Sequence, residues 1–346
     1  MYSASDLHFN YVYFNSNCEG NTINPNEYNA ICTRDLESLD NVEIVQIPLQ
    51  FKPSYLRVLY NLHNDARINR RLNLPFKRIW YPYYFKDNFK DKKPYCFIFA
   101  SLRYSFEYID FLRKKYPNCK VVKLHRDLVK VAHNNPMYTE DNMNRVFDLR
   151  LTIDKEEAKI YKMLHFDEIE SKIDIQIDPN YPLCDVFFAG KAKDRLPKLI
   201  EAYDRFTSFG LNCDFFITHV NKKYQIQRPG ITYSDEYMPY LDMLYKSVNA
   251  RFMFDVNQDG AVGYTSRFLE AVIYNKRFIT DNITVKDTRF YKTGDILYFE
   301  KVSDIEKDFF EKSEANYQYA GEFSPVHLLE KIDRELVRRE NRECTR

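Results

Sequence analysis

Hydrophobic and polar positions change period along this chain, and the changes outline its elements. Val42 to Ile47 reads as a short strand closed by Pro48, within a first 50 residues that otherwise show no clear pattern. Leu56 to Leu72 has helical spacing with many arginines. Tyr95 to Ser101 is apolar throughout, as a strand covered on both faces must be. Tyr104 to Tyr116 then places Phe106, Ile109, Phe111 and Leu112 at helical spacing, and Lys120 to Leu124 returns to strand. That is one βαβ unit. Phe147 to Ile153 predicts a further strand and Lys155 to Leu164 a short helix.

The pattern lapses around Ile169 to Leu183, where two prolines suggest a domain junction. Alternation then restarts: strand at Asp185 to Ala189, helix at Asp194 to Phe206, strand at Cys213 to Thr218. A helix over Tyr240, Leu241, Leu244, Tyr245 and Val248 leads into a strand from Arg251 to Val256. A polar loop, Asn257 to Thr265, holds two of only eight glycines, Gly260 and Gly263. A helix and a strand from Arg277 to Thr280 follow. Pro325 to Arg339 is an amphipathic helix. The expectation is an α/β protein of two doubly wound domains facing each other, residues 1–175 and 176–324, with a closing helix in the tail 325–346.

Composition narrows the function classes. Lys and Arg total 51 against 50 Asp and Glu, so no global charge draws the chain to nucleic acid. Tyr and Phe number 28 and 27, which excludes a disordered chain. The seven cysteines include no C-x-x-C pair, so they read as reduced thiols in a reducing compartment. The first residues lack a basic segment followed by an apolar core, and no run is long enough to span a membrane. A cytoplasmic protein is expected.

Two loops carry candidate chemistry. Ligands of open α/β sheets sit at the carboxyl edge, and anions are held by amides and cations there. After the first strand of the second half comes Gly190-Lys191-Ala192-Lys193-Asp194-Arg195, where Gly190 suits a sharp turn and Lys191, Lys193 and Arg195 suit a diphosphate. An ordinary basic loop is the alternative. After the glycine loop, Thr265 and Ser266 offer hydroxyls at a helix start. Phe268, Leu269, Val272 and Ile273 share one face of that helix; Arg267 and Glu270, three apart, share the opposite one. On spacing alone this pair is either a solvated ion pair worth a few tenths of a kcal/mol or a ligand clamp.

These residues resemble a known pattern. Asp255, Gln258, Gly263, Thr265, Arg267, Glu270, Ala271, Lys276, Ile279, Thr280 and Asn282 fall on the donor-domain motif of GT-B glycosyltransferases, most closely the RfaS-like lipopolysaccharide-core and capsular-polysaccharide glycosyltransferases. Gly190 and Arg195 fall on an earlier Gly…Arg pair. The resemblance spans roughly residues 80–295 and is densest over 185–291. It implies a GT-B-like fold, two Rossmann-like domains across a cleft, and a nucleotide-sugar donor as co-substrate with no cofactor or metal. It also implies Glu270 on the donor ribose and Lys191 or Arg195 on the diphosphate. Many retaining members place another glutamate eight residues before the ribose-binding one; here that position is Val262, so a retaining outcome lacks support.

The donor set expected is therefore Gly190, Lys191, Arg195, Gln258, Gly263, Thr265, Ser266, Arg267 and Glu270. In the N-terminal half His125 and His133 are candidate general bases; a structural histidine is the alternative for each. His125-Arg126-Asp127-Leu128 imitates a kinase catalytic loop, but the asparagine it needs is Ala132. No P-loop, Asp-x-Asp or H-E-x-x-H occurs. Arg57 to Lys77, with Arg67, Arg70 and Arg71 among leucines and followed by the aromatic run Trp80 to Phe85, suits an anionic membrane face near a lipid-linked acceptor; a plain exposed helix is the alternative. The whole reads as a metal-independent glycosyltransferase of cell-surface polysaccharide assembly, handing sugar to a saccharide or lipid-linked acceptor at the inner membrane face, with no nucleic-acid partner. The alternative is a non-catalytic two-lobed protein binding a small anionic or sugar ligand.

Overall fold

The computed structural model describes residues 7–15, 27–46, 51, 54–65, 68, 71–72, 74–100, 105–126, 128–129, 139–258 and 263–344. The chain divides into two compact units, Met1–Asp167 with Ser324–Arg346, and Glu168–Phe323. The expected junctions lay at 175/176 and 324/325. In the structure the tail helix belongs to the first unit and is not a separate segment.

The first unit runs β1 (Asn10–Phe14), α1 (Glu27–Cys32), β2 (Val42–Val45), α2 (Ser54–Asn64), α3 (Tyr81–Tyr84), β3 (Tyr95–Phe99), α4 (Phe106–Lys115), β4 (Lys120–His125), α5 (Glu140–Val146), β5 (Leu149–Thr152), α6 (Lys155–Ile160) and β6 (Leu164–His165). Its sheet is parallel, ordered β2-β1-β3-β4-β5-β6. That is the flavodoxin-like order with one strand added. β1 lies inside the sheet and is buried at all five positions. It was not among the expected strands, although Tyr11 to Phe14 are all hydrophobic. Aromatic rings fill the core; Phe14 stacks on Phe99 at 4.8 Å, and Tyr84 meets Tyr108 edge-on at 4.9 Å.

The second unit runs β7 (Cys184–Lys191), α7 (Leu196–Ser208), β8 (Cys213–Thr218), β9 (Ile231–Ser234), α8 (Tyr240–Asn249), β10 (Ala250–Asp255), α9 (Ser266–Ile273), β11 (Arg277–Thr280) and β12 (Ile296–Tyr298). The sheet is again parallel, ordered β12-β11-β10-β7-β8-β9. Counted from its own first strand this is 3-2-1-4-5-6 read from the far edge, the dinucleotide-binding order. The doubly wound α/β expectation therefore holds in both units, while the edge strands β9 and β12, four and three residues long, were not among the expected strands.

The last helix, α10 (Pro325–Cys344), is pinned to the first unit by one carboxylate. Asp333 accepts from the His8 amide at 2.8 Å, the Tyr11 hydroxyl at 2.7 Å and lies 2.7 Å from His8 Nδ1. Arg339 donates to the Asp148 carbonyl at 2.8 Å. Among the described residues no helix is long and apolar enough to cross a membrane.

Candidate functional site

The second sheet changes winding direction between β7 and β10. β7 is followed toward β8 on one side, β10 toward β11 on the other, and the two strands are hydrogen-bonded neighbours. The loops leaving their carboxyl ends part here, and such a switch point is where open α/β sheets bind ligands. Both candidate loops of the second half are these two loops.

They are tied together by their own side chains. Arg195, in the turn before α7, donates to the Val256 carbonyl beyond β10 and to the Lys191 carbonyl at the end of β7. Arg267, in the first turn of α9, donates back to the Ala189 carbonyl of β7. Lys193 Nζ reaches Gln258 Oε1 across the same gap. The guanidinium carbons of Arg195 and Arg267 each lie 5.9 Å from the Phe188 ring. Two arginines from two crossovers thus converge on one spot.

Gly190 marks that spot. It was expected in a sharp turn, but it is a strand residue, paired with Ile217 of β8. Its need to be glycine comes from space. A Cβ there would stand 3.3 Å from Arg267 Nη2, 3.3 Å from Phe188 Cζ and 3.6 Å from Arg195 Nη2. The missing side chain is what lets the two forks approach the strand end.

Beneath them Asp255 ends β10, 1% exposed. Its carboxylate lies 3.9 Å from Arg195 Nη1. Burial pushes its pKa up, while Arg267, the Thr265 hydroxyl and Arg195 pull it down. Burial likewise draws the Arg195 guanidinium below its ordinary value, with Asp255 opposing and Arg267 adding to the shift. Two guanidiniums thus stand at one strand end, with Asp255, Glu270 and Asp281 among the acids around them. The Nε–H groups of both arginines are buried and donate to no partner in the protein. Desolvated cations of this kind gain most from an anion placed between them.

The backbone contributes less than expected. In the first loop the Ala192 amide is already bonded to the Thr218 carbonyl at 3.1 Å and the Arg195 amide to the Ala192 carbonyl at 2.9 Å. Those amides serve the fold. The second loop keeps its expected cap: Thr265 Oγ1 accepts from the Phe268 amide at 3.4 Å, and Ser266 opens α9, half-buried. Gly263 adopts φ 76°, a left-handed value that suits glycine. Its carbonyl accepts from Asn282 Nδ2 at 2.9 Å, which fastens the loop to the end of β11. Gly260 lies outside the described residues. Asp281 adds a second fastening, taking the Asn257 amide at 2.7 Å and Lys198 Nζ at 2.6 Å.

Glu270 corrects the reading of α9. The solvated ion pair with Arg267 does not form: Glu270 is 0% exposed and α9 is buried at every position from Phe268 to Ile273. Glu270 meets the neighbouring helix α8, whose Tyr240 hydroxyl lies 2.9 Å from Glu270 Oε1 and 3.2 Å from Glu170 Oε1. The other Glu270 oxygen is buried without a hydrogen bond. Burial raises its pKa to about 7, against the pull of Arg267 and Tyr240 and with Asp255 adding to the rise. A perturbed carboxyl next to a cation cluster at a sheet edge is a functional-site signature. Tyr240 and Glu170 were not expected. Seventy residues separate them in sequence, and no local pattern links them.

At the rim Lys191 Nζ sits 5.0 Å from the Tyr237 ring. Tyr237 in turn lies 5.0 Å from the His219 ring. In the first unit His125 ends β4, 4% exposed. A general base must touch the proton it takes, so this burial counts against that role. His133 lies outside the described residues, as do Arg67 and Arg70. Among the described residues no group of three or more His, Cys, Asp or Glu is placed to hold a metal ion.

No protein-family model matches the chain, and no curated protein matches it. Solved structures similar in fold include an α-glucosyltransferase in complex with UDP and a DNA containing an HMU base, 11% identical, covering 92% of this chain and 93% of that one, TM-score 0.48. Another is the lipopolysaccharide outer core galactosyltransferase WaaB in apo form, 13% identical, covering 95% and 99%, TM-score 0.48. A third is the glycosyltransferase SnogD from Streptomyces nogalater, 8% identical, covering 95% and 96%, TM-score 0.36. At these values the likeness does not extend to residues or reactions.

Proposed function

We propose that the chain is a metal-independent GT-B glycosyltransferase that moves a sugar from a nucleotide-sugar donor to a saccharide acceptor. The observation that carries this is the convergence of Arg195 and Arg267 on Gly190 at the switch point of a dinucleotide-type sheet. In the fuller form of the reading the acceptor is lipid-linked, the setting is cell-surface polysaccharide or lipopolysaccharide assembly, and the protein works at the cytoplasmic membrane face.

Arg195 and Arg267 are assigned to the diphosphate, with Lys191 and Lys193 at its rim. As the bond from the sugar's anomeric carbon to the phosphate oxygen breaks, its electron pair leaves with the diphosphate. The paired guanidiniums stabilise that growing charge. The acceptor hydroxyl oxygen bonds the anomeric carbon and gives up its proton. Burial counts against His125, so His133 is retained as the candidate base for that proton. Glu270 is assigned to the donor ribose, because its Oε2, buried near Arg267 without a hydrogen bond, can accept one from a hydroxyl. Thr265, Ser266, Gln258 and Gly263 shape the loop around the phosphates.

Thermal unfolding with UDP, GDP, CDP and TDP tests this, because the diphosphate that binds must stabilise the fold. One of the four is expected to raise Tm, and the matching nucleotide sugar to be slowly hydrolysed. Arg267→Ala should weaken that nucleotide by about 10–100-fold, the loss of one charge-assisted contact of about 1.5–3 kcal/mol. Stabilisation by none of the four, or an unchanged affinity in Arg267→Ala, defeats the assignment.

A further inference from the structure

Helix α2 is apolar on two sides. Leu56 and Tyr60 pack against the core of the first unit, and Tyr60 stacks on Phe51 at 4.4 Å. Tyr55, Val58, Leu59 and Leu62 recur at i, i+3, i+4 and i+7, which is one stripe of a helix. They are 62, 57, 52 and 55% exposed. An amphipathic surface helix turns one apolar stripe inward; this helix turns a second one outward.

The stripe continues past the helix. Leu72 and Ile79 are exposed, and Phe76 is 77% exposed. Phe76 stands at φ 63°, a left-handed value that costs a bulky residue energy. The segment is held in place from both ends of one ring: Trp80 Nε1 donates to His63 Nδ1 at 2.8 Å, and His63 Nε2 lies 2.8 Å from the Pro75 carbonyl. With Nδ1 accepting, Nε2 carries the proton and donates. So the last turn of α2 is bolted to the turn that displays Phe76. Exposed apolar surface of this extent marks an interaction site.

Charge selects the partner. From Lys52 to Arg78 the sequence holds five arginines and two lysines against one acid, Asp65, in a chain whose net charge is only +1. Arg78 pairs with Glu107 at 3.2 Å. A groove for a partner protein does not require that excess, and duplex DNA does not require four exposed apolar residues in a row. An apolar stripe in a segment whose sequence is this rich in basic residues, with Arg71 exposed, fits an anionic lipid interface, where apolar side chains enter the headgroup–acyl boundary and cations meet lipid phosphates.

We infer that α2 and the Phe76 turn dock the first unit onto an anionic bilayer surface, with Tyr55, Val58, Leu59 and Leu62 as the inserting face. This deepens the proposed function by naming the surface that would bring the enzyme to a lipid-linked acceptor, and it rests on that reading for the acceptor alone. The test is flotation of the full chain with vesicles of phosphatidylcholine mixed with phosphatidylglycerol, against vesicles of phosphatidylcholine alone. The chain is expected to float with the mixed vesicles only, and less so at high salt. The double substitution Leu59→Ser, Leu62→Ser should cut bound protein by about tenfold with an unchanged melting curve, since both positions are exposed. Arg71→Glu with Lys77→Glu should reduce binding and weaken its salt dependence. Failure of the wild type to float, equal flotation of the serine variant, or binding of duplex DNA in place of vesicles overturns the inference. Stabilisation by nucleoside diphosphates, read on the same proteins, is expected to be identical in all variants; its absence from every one would sink the proposed function and leave the membrane result standing.

Discussion

Helices α2 and α9 break the same rule in opposite directions. α9 puts a carboxylate, Glu270, into a fully buried environment; α2 puts Tyr55, Val58, Leu59 and Leu62 into solvent. Each choice costs stability. Burying an ionisable group disfavours its charged form, and exposing apolar side chains forgoes about 25 cal/mol for each Å² left in contact with water. A sequence is consistent with its fold at most positions, and departures from that consistency gather where the molecule does something besides fold. On this comparison the proposals give α9 a ligand held inside the second unit and α2 a surface met outside the first.

The largest effect should separate the two helices by stability alone. Leu269 lies on the buried side of α9 at 0% exposure, so Leu269→Ala should cost about 2–5 kcal/mol in denaturant unfolding. Leu59→Ala on α2 should change stability by no more than about 0.5 kcal/mol. Similar costs at the two positions would mean that the α2 stripe is covered in the protein, and the contrast would fall.

Next in size is a pH effect at Glu270. Its pKa is raised in the fold from 4.5 to about 7, so the folded state holds this proton more tightly than the unfolded chain does. Its contribution to stability is full below about pH 4.5 and is lost as pH rises through 7. Glu270→Gln, which cannot ionise, should therefore gain on wild type as pH climbs from 5 to 8, by something on the order of 3 kcal/mol at the upper end. Nucleotide affinity should fall in the same variant. A stability difference that stays flat across this range would show that Glu270 is not held in the buried state that distinguishes α9 from α2.

The smallest effect tests the cap that aims α9 at the switch point. Thr265 accepts from the Phe268 amide at 3.4 Å, so Thr265→Ala should cost about 1 kcal/mol in thermal unfolding. Because the same hydroxyl lies beside Asp255, donor KM should rise too. Loss of stability without any change in KM would reduce Thr265 to a cap and nothing more.

Much of this molecule could be read in one dimension. Runs such as Tyr95–Phe99 and Cys213–Thr218 are apolar enough, and the helices between them periodic enough, for alternating strand and helix to be recognised. Two parallel, doubly wound sheets follow from that alternation because parallel neighbours need a crossover between them. The two basic or glycine-bearing loops after Gly190 and Val256 could be named as candidates for the same reason: they follow strands, and strands end at the ligand-binding edge. Local order of this kind depends on residues a few positions apart.

What depends on distant residues needed the fold. Nothing near Glu270 in sequence says that Tyr240 will close over it; the spacing alone allowed a solvated face, and only the packing of α8 on α9 buried the carboxylate. Nothing near Gly190 says that its hydrogen makes room for guanidiniums from residues 195 and 267. β1 shows the same limit: Asn10 to Phe14 is as long as Tyr95 to Phe99, and what makes it an interior strand is its pairing with β2 and β3 on its two sides. Periodicity determines which faces an element has. Only the tertiary structure decides which face meets protein and which meets solvent, because burial is a property of neighbours that the chain brings from far away.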